Sequence, residues 1–323
     1  MSMPRYILST GFCFLILSVP SPSQTPPPAS MPGIKLSIDE LKAQYMHLGA
    51  GKRLKPKQWP NGARVAVALS FDVDNASVPL SRGLLGSEDL SRGMYGAIDG
   101  LPRILRMLDR QSAPASFFIP AVSIALNPEM APSILSRRRH EIGVHGWIHE
   151  HLGMLNNEAE EQRLLNQSIE ALTKAVGKRP VGYRAPSWAM SRFTMKQVKE
   201  AGFLYDSSLM ASDDAYEVTI DGQPSGVIEL PIERILDDAP YYGAANGSLP
   251  SPELVDQIYR AEFDVAYQEG GLYVLTMHPH YTGHRSRVLW LEKLIVYMKS
   301  KPGVWFATHE EVANYLKKNA MTQ

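Results

Sequence analysis

From residue 64 to residue 308, short apolar runs alternate with amphipathic stretches, and this alternation restricts the fold more than any other feature. "RVAVALSF" (64–71) is apolar almost throughout, as in a strand buried on both faces. Further strands are expected at 114–120, 141–146, 181–186, 203–208, 227–232, 272–278 and 304–308. Helical spacing falls between them, at 96–111, 123–138, 158–177, 191–201, 251–269 and 286–300. Pro102 should kink the first of these or start a new segment, prolines interrupt the second, and Gly177 closes the third. Strand–helix alternation of this length implies an α/β fold with a parallel sheet, open or closed into a barrel. In a parallel barrel, the residues at strand C-terminal ends share one rim, where sites are built. Here those residues are Asp72, Asp74, His145, Arg184, Asp206 and His278.

The 323 residues suit one large domain or two small ones, and 44% of them are hydrophobic. Lys+Arg and Asp+Glu both number 33, so the net charge offers no reason to expect nucleic acid or an anionic membrane as partner. The only obvious basic run, Arg137-Arg138-Arg139, reads as the solvated end of a helix. At the N-terminus, Arg5 precedes the apolar run Tyr6–Val19 and then "PSPSQTPPPAS". That pattern describes a secretory signal peptide over 1–23, with Ser21-Pro22-Ser23 nearest to a cleavage site; the alternative is an uncleaved N-terminal anchor. The exported form would be periplasmic or extracellular. Residues 24–58 read as a proline-rich linker followed by a short helix at 37–49, capped by Ser37 with Glu40 three residues on. The folded domain is expected over 59–323, from the turn at Trp59-Pro60-Asn61-Gly62 onward. The single cysteine, Cys13, lies in the apolar run, so any metal in the mature chain must be held by His and carboxylate. Composition is compatible with a homo-oligomer.

"SFDVDN" (70–75) ends the first strand with two carboxylates at i and i+2, on one face of extended backbone. Their repulsion calls for a bound cation or a proton; a pair of loop caps is the plainer reading. "HGWIHEH" (145–151) places His145 and His149 four apart, which on a helical turn would let them chelate one ion. An exposed polar helix start is the alternative. With one Asp the two histidines would make the three-ligand set of a catalytic zinc site. Glu150 and His151 would then point elsewhere, and Trp147 and Ile148 would pack inward. "YRAPSW" (183–188), "YDSS" (205–208) and "TMHPH" (276–280) each bring a charged residue to a strand end. The loop in "ELPIERILDDAPYY" (229–242) gathers Asp237, Asp238, Tyr241 and Tyr242, which suits a wall that binds a sugar or amide, or simply a surface loop.

An Asp pair, then H-x-x-x-H, R-x-P-x-W, D-S-S and a late strand ending in His: this order resembles the polysaccharide deacetylase family, also called the NodB homology domain or carbohydrate esterase family 4. The resemblance spans roughly residues 60–318. It is strongest to the branch of peptidoglycan deacetylases and allantoinase-like proteins, with "SFDVD" where most members have "TFDDG" and with an "LDD-x-P-Y" loop. The resemblance implies a distorted (β/α) barrel, usually of seven strands. It implies Asp72 as catalytic base, paired with Arg184, and Asp74, His145 and His149 holding a divalent metal, most commonly zinc. It implies His278 as general acid, oriented by Asp206. Substrate contacts are expected from Trp188, Asp237, Asp238 and Tyr241.

The activity so implied is metal-dependent removal of N-acetyl groups from an acetamido sugar in a cell-wall polysaccharide, either peptidoglycan or a chitin-like oligosaccharide. Two alternatives stand beside it: an amidohydrolase of small cyclic amides or imides, and a carbohydrate-binding protein on an inactive scaffold. The second should have lost the base, a ligand or the acid, and none is missing from this sequence.

Overall fold

A computed structural model describes residues 32–137, 139–243 and 249–321. The expected leader and most of the proline-rich linker lie outside the described residues. Ten strands form one sheet: β1 (Leu48–Arg53), β2 (Val65–Asp72), β3 (Ala115–Ile119), β4 (His140–Val144), β5 (Gly182–Tyr183), β6 (Tyr205–Asp206), β7 (Tyr216–Ile220), β8 (Gln223–Glu229), β9 (Leu272–Met277) and β10 (Val304–Ala307). Their order is β1-β7-β8-β6-β5-β4-β3-β2-β10, and β9 also pairs with β2.

Seven strands were expected, and seven consecutive parallel ones do form the wall: β9, β2, β3, β4, β5, β6 and β8. The other three account for the higher count. β10 shares an edge of β2 with β3, pairing residues 65–68 while β3 pairs 70–72. β7 and β1 extend the sheet beyond β8 in antiparallel fashion. β1 therefore belongs to the sheet although it precedes the domain start expected near Trp59. The two ends of the wall meet only at an isolated parallel bridge, Asp237 to Thr276, so the barrel is distorted and incompletely closed.

Most of the helices that cover the wall begin and end where the sequence signals them. Pro102 is the second residue of Leu101–Arg110, which continues helical backbone directly from a π-helical turn, Gly96–Gly100. Glu158–Val176 starts at an Asn157 cap and ends at Gly177 with φ 78°. No described helix is long and apolar enough to cross a membrane. Arg137 and Arg139 face Asp109 and Glu311.

Strand alternation divides the core in two. Val65, Val67, Leu69 and Phe71 pack outward against the helices, while Ala66 and Ala68 join Phe118, Tyr205, Ile228 and Val274 inside the barrel. Continuing the inner face of β2 upward gives Ser70, Asp72 and then Asp74. On β9 the same parity runs through Leu272 and Val274 to Thr276 and His278. Apolar residues thus dominate the barrel floor, and polar ones occupy its upper rim.

Candidate active site

Asp72 ends β2, pointing inward, and Arg184, fully buried just after β5, donates to its Oδ1 at 2.7 Å. The guanidinium also donates to Ser70 Oγ and to the Ser207 carbonyl and hydroxyl, and it lies 4.0 Å over the Phe118 ring. Burial alone would raise the Asp72 carboxyl, but Arg184, with His145 and His278, outweighs it and holds the group below its usual range. The expected Asp72–Arg184 pair is therefore present.

His145 follows β4 directly. Its Nδ1 lies 2.8 Å from the Arg184 carbonyl, which can only accept, so Nδ1 carries the hydrogen and Nε2 keeps a lone pair. That lone pair faces Asp74 Oδ1 at 3.5 Å. His149 Nε2 lies 3.6 Å from Asp74 Oδ2. The two histidines do not share a helical turn as expected. The chain turns through left-handed backbone at Gly146 (φ 74°) and His149 (φ 63°), and the loop folds the second ring against the first, centroids 5.1 Å apart. Glu150 closes that loop by accepting from the Trp147 and Ile148 amides. His151 caps the short helix Leu152–Leu155 through the Met154 amide. Trp147 and Ile148 are only half-buried.

The donor atoms of Asp74, His145 and His149 lie within 4.8 Å of one another, so the three could hold a metal ion. Asp74 Oδ1 is buried with no hydrogen-bond partner, an orphan that a cation would satisfy. Burial lowers both imidazoles, His149 to about 4, and so keeps them in the neutral form that ligation requires. Burial also raises Asp74.

His278 follows β9. Its Nδ1 donates to Asp238 Oδ1 at 2.6 Å, and its Nε2 points toward Asp74 Oδ2, 3.7 Å away. Burial opposes its protonation, but Asp238 and Asp237 outweigh that and raise the imidazole well above its usual value. Asp238 is fixed in turn by the His278 and Thr282 amides.

The orienting carboxylate is thus Asp238, not Asp206. Tyr205 points into the barrel, so its neighbour Asp206 points out of it. There Asp206 lies beside Glu229, its register partner on β8, and accepts from Ser208 Oγ. On the outer side of the sheet burial raises both carboxyls, Asp206 to about 6. Asp238 is likewise no substrate contact, being wholly buried beneath His278. Tyr241 does not line the cavity either; its hydroxyl donates to the Ile235 carbonyl.

Above these groups opens a cavity of about 490 Å³, lined by Asp72, Asp74, His145, His149 and His278. Trp188 and Asp237 are on its wall, as expected, and Tyr281 is there in place of Tyr241. Asn75, His149, Ser187 and Trp188 all line it with φ between 50° and 63°, so four non-glycine residues in left-handed backbone border the cavity.

A parallel barrel carrying on its C-terminal rim an arginine-paired carboxylate, an Asp–His–His cluster and a carboxylate-held imidazole is the frame of a hydrolase. Residues 94–205 match the family model described as polysaccharide deacetylase. The chain is 30% identical to the peptidoglycan deacetylase of Helicobacter pylori, over 79% of this chain and 97% of the relative. It is 26% identical to the peptidoglycan deacetylase-like protein FGM2 of Gibberella zeae, over 77% and 86%. Its fold superposes with TM-score 0.76 on a Mycobacterium smegmatis protein assigned to the polysaccharide deacetylases, at 36% identity over 84% of this chain and 96% of that one. The chain belongs to the polysaccharide deacetylase family, and it is a hydrolase acting on amide bonds.

Proposed function

We propose that this hydrolase is a metal-dependent N-deacetylase of an acetamido sugar in a cell-wall polysaccharide. The observation that carries the reading is the convergence, in one cavity, of the Arg184-held Asp72, the Asp74–His145–His149 cluster and the Asp238-held His278. Two imidazole nitrogens and a carboxylate oxygen are a donor set of catalytic zinc, which when bound supplies a Lewis acid for a carbonyl oxygen and a more acidic water. Asp72 uses its second oxygen, the one Arg184 leaves free, to take the proton of the attacking water. His278 delivers a proton from Nε2 to the departing nitrogen, while Asp238 keeps the other proton on Nδ1. The C–N bond breaks as a C–O bond forms, giving acetate and an amino sugar. Trp188 offers the sugar a flat apolar face.

The relatives named peptidoglycan deacetylase support a cell-wall glycan, as does the leader-like run Tyr6–Val19 behind Arg5, which supports export. The test is acetate release from acetylated chito-oligosaccharides, measured beside opening of a cyclic ureide. Acetate release with no ureide turnover is the expected result. Ureide turnover alone would replace the proposal with a cyclic-amide hydrolase.

A further inference from the structure

Arg184 is wholly buried, so each of its five N–H groups needs an acceptor. Four are met near the base. The Ser207 carbonyl takes Nε–H, Ser70 Oγ and Asp72 Oδ1 take the pair on Nη1, and Ser207 Oγ takes one on Nη2. Both hydroxyls can accept because each donates elsewhere, Ser70 to the Leu275 carbonyl and Ser207 to that of Leu230. The acceptor left for the fifth N–H is His309 Nε2, 3.4 Å from Nη2. His309 does not line the cavity. It is the first residue of helix His309–Leu316, two positions beyond β10, and it is fully buried.

A guanidinium only donates, so Nε2 must keep its lone pair and Nδ1 must carry the hydrogen. Nδ1 lies 3.0 Å from Ser116 Oγ, and the His309 amide donates to the same oxygen at 2.8 Å. With both donating to it, Ser116 turns its own hydrogen to Glu141 Oε2, 2.9 Å away. Glu141 is fixed in turn by the Tyr205 hydroxyl and the Glu310 amide. Donation therefore runs one way, from His309 through Ser116 to Glu141, and it sets the tautomer that Arg184 requires. Burial and then the Arg184 charge push His309 well below the usual imidazole range, so the ring stays neutral and able to accept. Phe118 packs edge-on against this ring, centroids 5.3 Å apart, and lies 4.0 Å beneath the guanidinium.

We propose that His309 is a positioning residue for the reaction: it takes the fifth N–H of Arg184 and so fixes the guanidinium that holds Asp72. The proposal rests on the deacetylase reading only in taking Asp72 as the base. Without His309 a buried N–H is left unpaired, and the guanidinium can turn from Asp72 to find another acceptor. A side chain that merely fills the barrel could be replaced by any of like volume.

Steady-state kinetics on an acetylated chito-oligosaccharide compares His309→Leu, which cannot accept, with His309→Gln, whose amide oxygen falls about where Nε2 does. His309→Leu should lower kcat about tenfold, the scale of about 1.4 kcal/mol, and leave KM within about twofold, because Arg184 serves the base and not the sugar. His309→Gln should bring kcat back to within about threefold of wild type, since it restores the acceptor. Wild-type kcat in His309→Leu, or equal losses in the two variants, would overturn the proposal. If His309→Leu does not fold, Ser116→Ala takes its place. It removes the acceptor that orients the ring and should lower kcat several-fold at unchanged KM; wild-type kcat there would equally overturn the proposal. A second measurement needs no turnover. In denaturant unfolding, the losses of His309→Leu and Arg184→Lys should exceed that of the pair, by about tenfold in the unfolding equilibrium constant. Additive losses would contradict a hold of His309 on Arg184. Non-additive losses in a protein that releases no acetate from any glycan would leave that hold standing and remove only the deacetylase reading.

Discussion

At the scale of the residue, the site depends on which face of a strand each side chain takes. Asp72, Asp74, His145 and His278 were legible because each ends or follows a recognisable strand and falls on its inner face; Arg184 falls there too, although its strand has only two residues. Asp206 also ends a strand but falls on the outer face, and a two-residue strand shows no periodicity from which to read parity. Asp238 was visible only as one of two adjacent acids; nothing local shows which of them meets an imidazole forty residues later. The two aspartates separate experimentally. Asp238→Asn should lower kcat by about 10²–10⁴, the usual worth of a general acid, because it disturbs the tautomer and charge of His278. Asp206→Asn should leave kcat within a few-fold. Steady-state kinetics on one acetylated oligosaccharide tests both, and equal losses would contradict the assignment. Arg184→Met strands a buried carboxylate and should cost roughly 3–5 kcal/mol in denaturant unfolding. Whatever activity remains should show its acid limb of kcat/KM at higher pH, since Arg184 is what holds Asp72 low.

At the scale of the element, the loops that carry the site are held by close contacts rather than by regular structure. The spacing of His145 and His149 suggested a helical turn, but Gly146 and the Glu150 carboxylate make it a tight loop. The hairpin of β7 and β8 went unread, although Asp221-Gly222, both with positive φ, is the turn dipeptide such hairpins use. Gly100 touches the loop that carries His278, and a Cβ there would collide with the Pro279 carbonyl. Gly100→Ala should therefore lower kcat several-fold with the circular dichroism spectrum unchanged; wild-type kcat would show that the loop does not depend on this contact. Deeper in the barrel, burial lifts Glu141 from 4.5 to about 7, against hydrogen bonds from Tyr205, Ser116 and the Glu310 amide. The folded chain keeps this proton up to about pH 7, whereas the unfolded chain loses it near 4.5. Between those values the folded state binds more protons, so this group's contribution to stability falls as pH rises. Relative to wild type, the melting temperature of Glu141→Gln should climb between about pH 5 and about pH 8. A constant difference would mean that Glu141 is ionised in the fold.

At the scale of the whole molecule, the alternation of strands and helices specified a parallel sheet, open or closed, and the strand ends at which its site would lie, while the barrel was implied by the family resemblance. The extra strands escaped because β1 ("LGAGKR") carries little apolar signal and is paired only at the sheet edge. Pairing with β7, not local propensity, makes it a strand. The barrel's incomplete closure follows from partners far apart in sequence, Asp237 and Thr276, and no local pattern records it. What the barrel achieves is convergence: residues from 72 to 278 meet at one cavity. The central claim is that Asp72 performs the chemistry while Asp74, His145 and His149 hold the metal. Its most direct test is acetate release together with metal content, for wild type and Asp72→Asn. The wild type should release acetate, stop on chelation and recover with zinc. Asp72→Asn should keep about one metal ion per chain, as a three-ligand site does, and release almost no acetate. Acetate release that survives chelation, or an Asp72→Asn protein that works at the wild-type rate, would contradict the account.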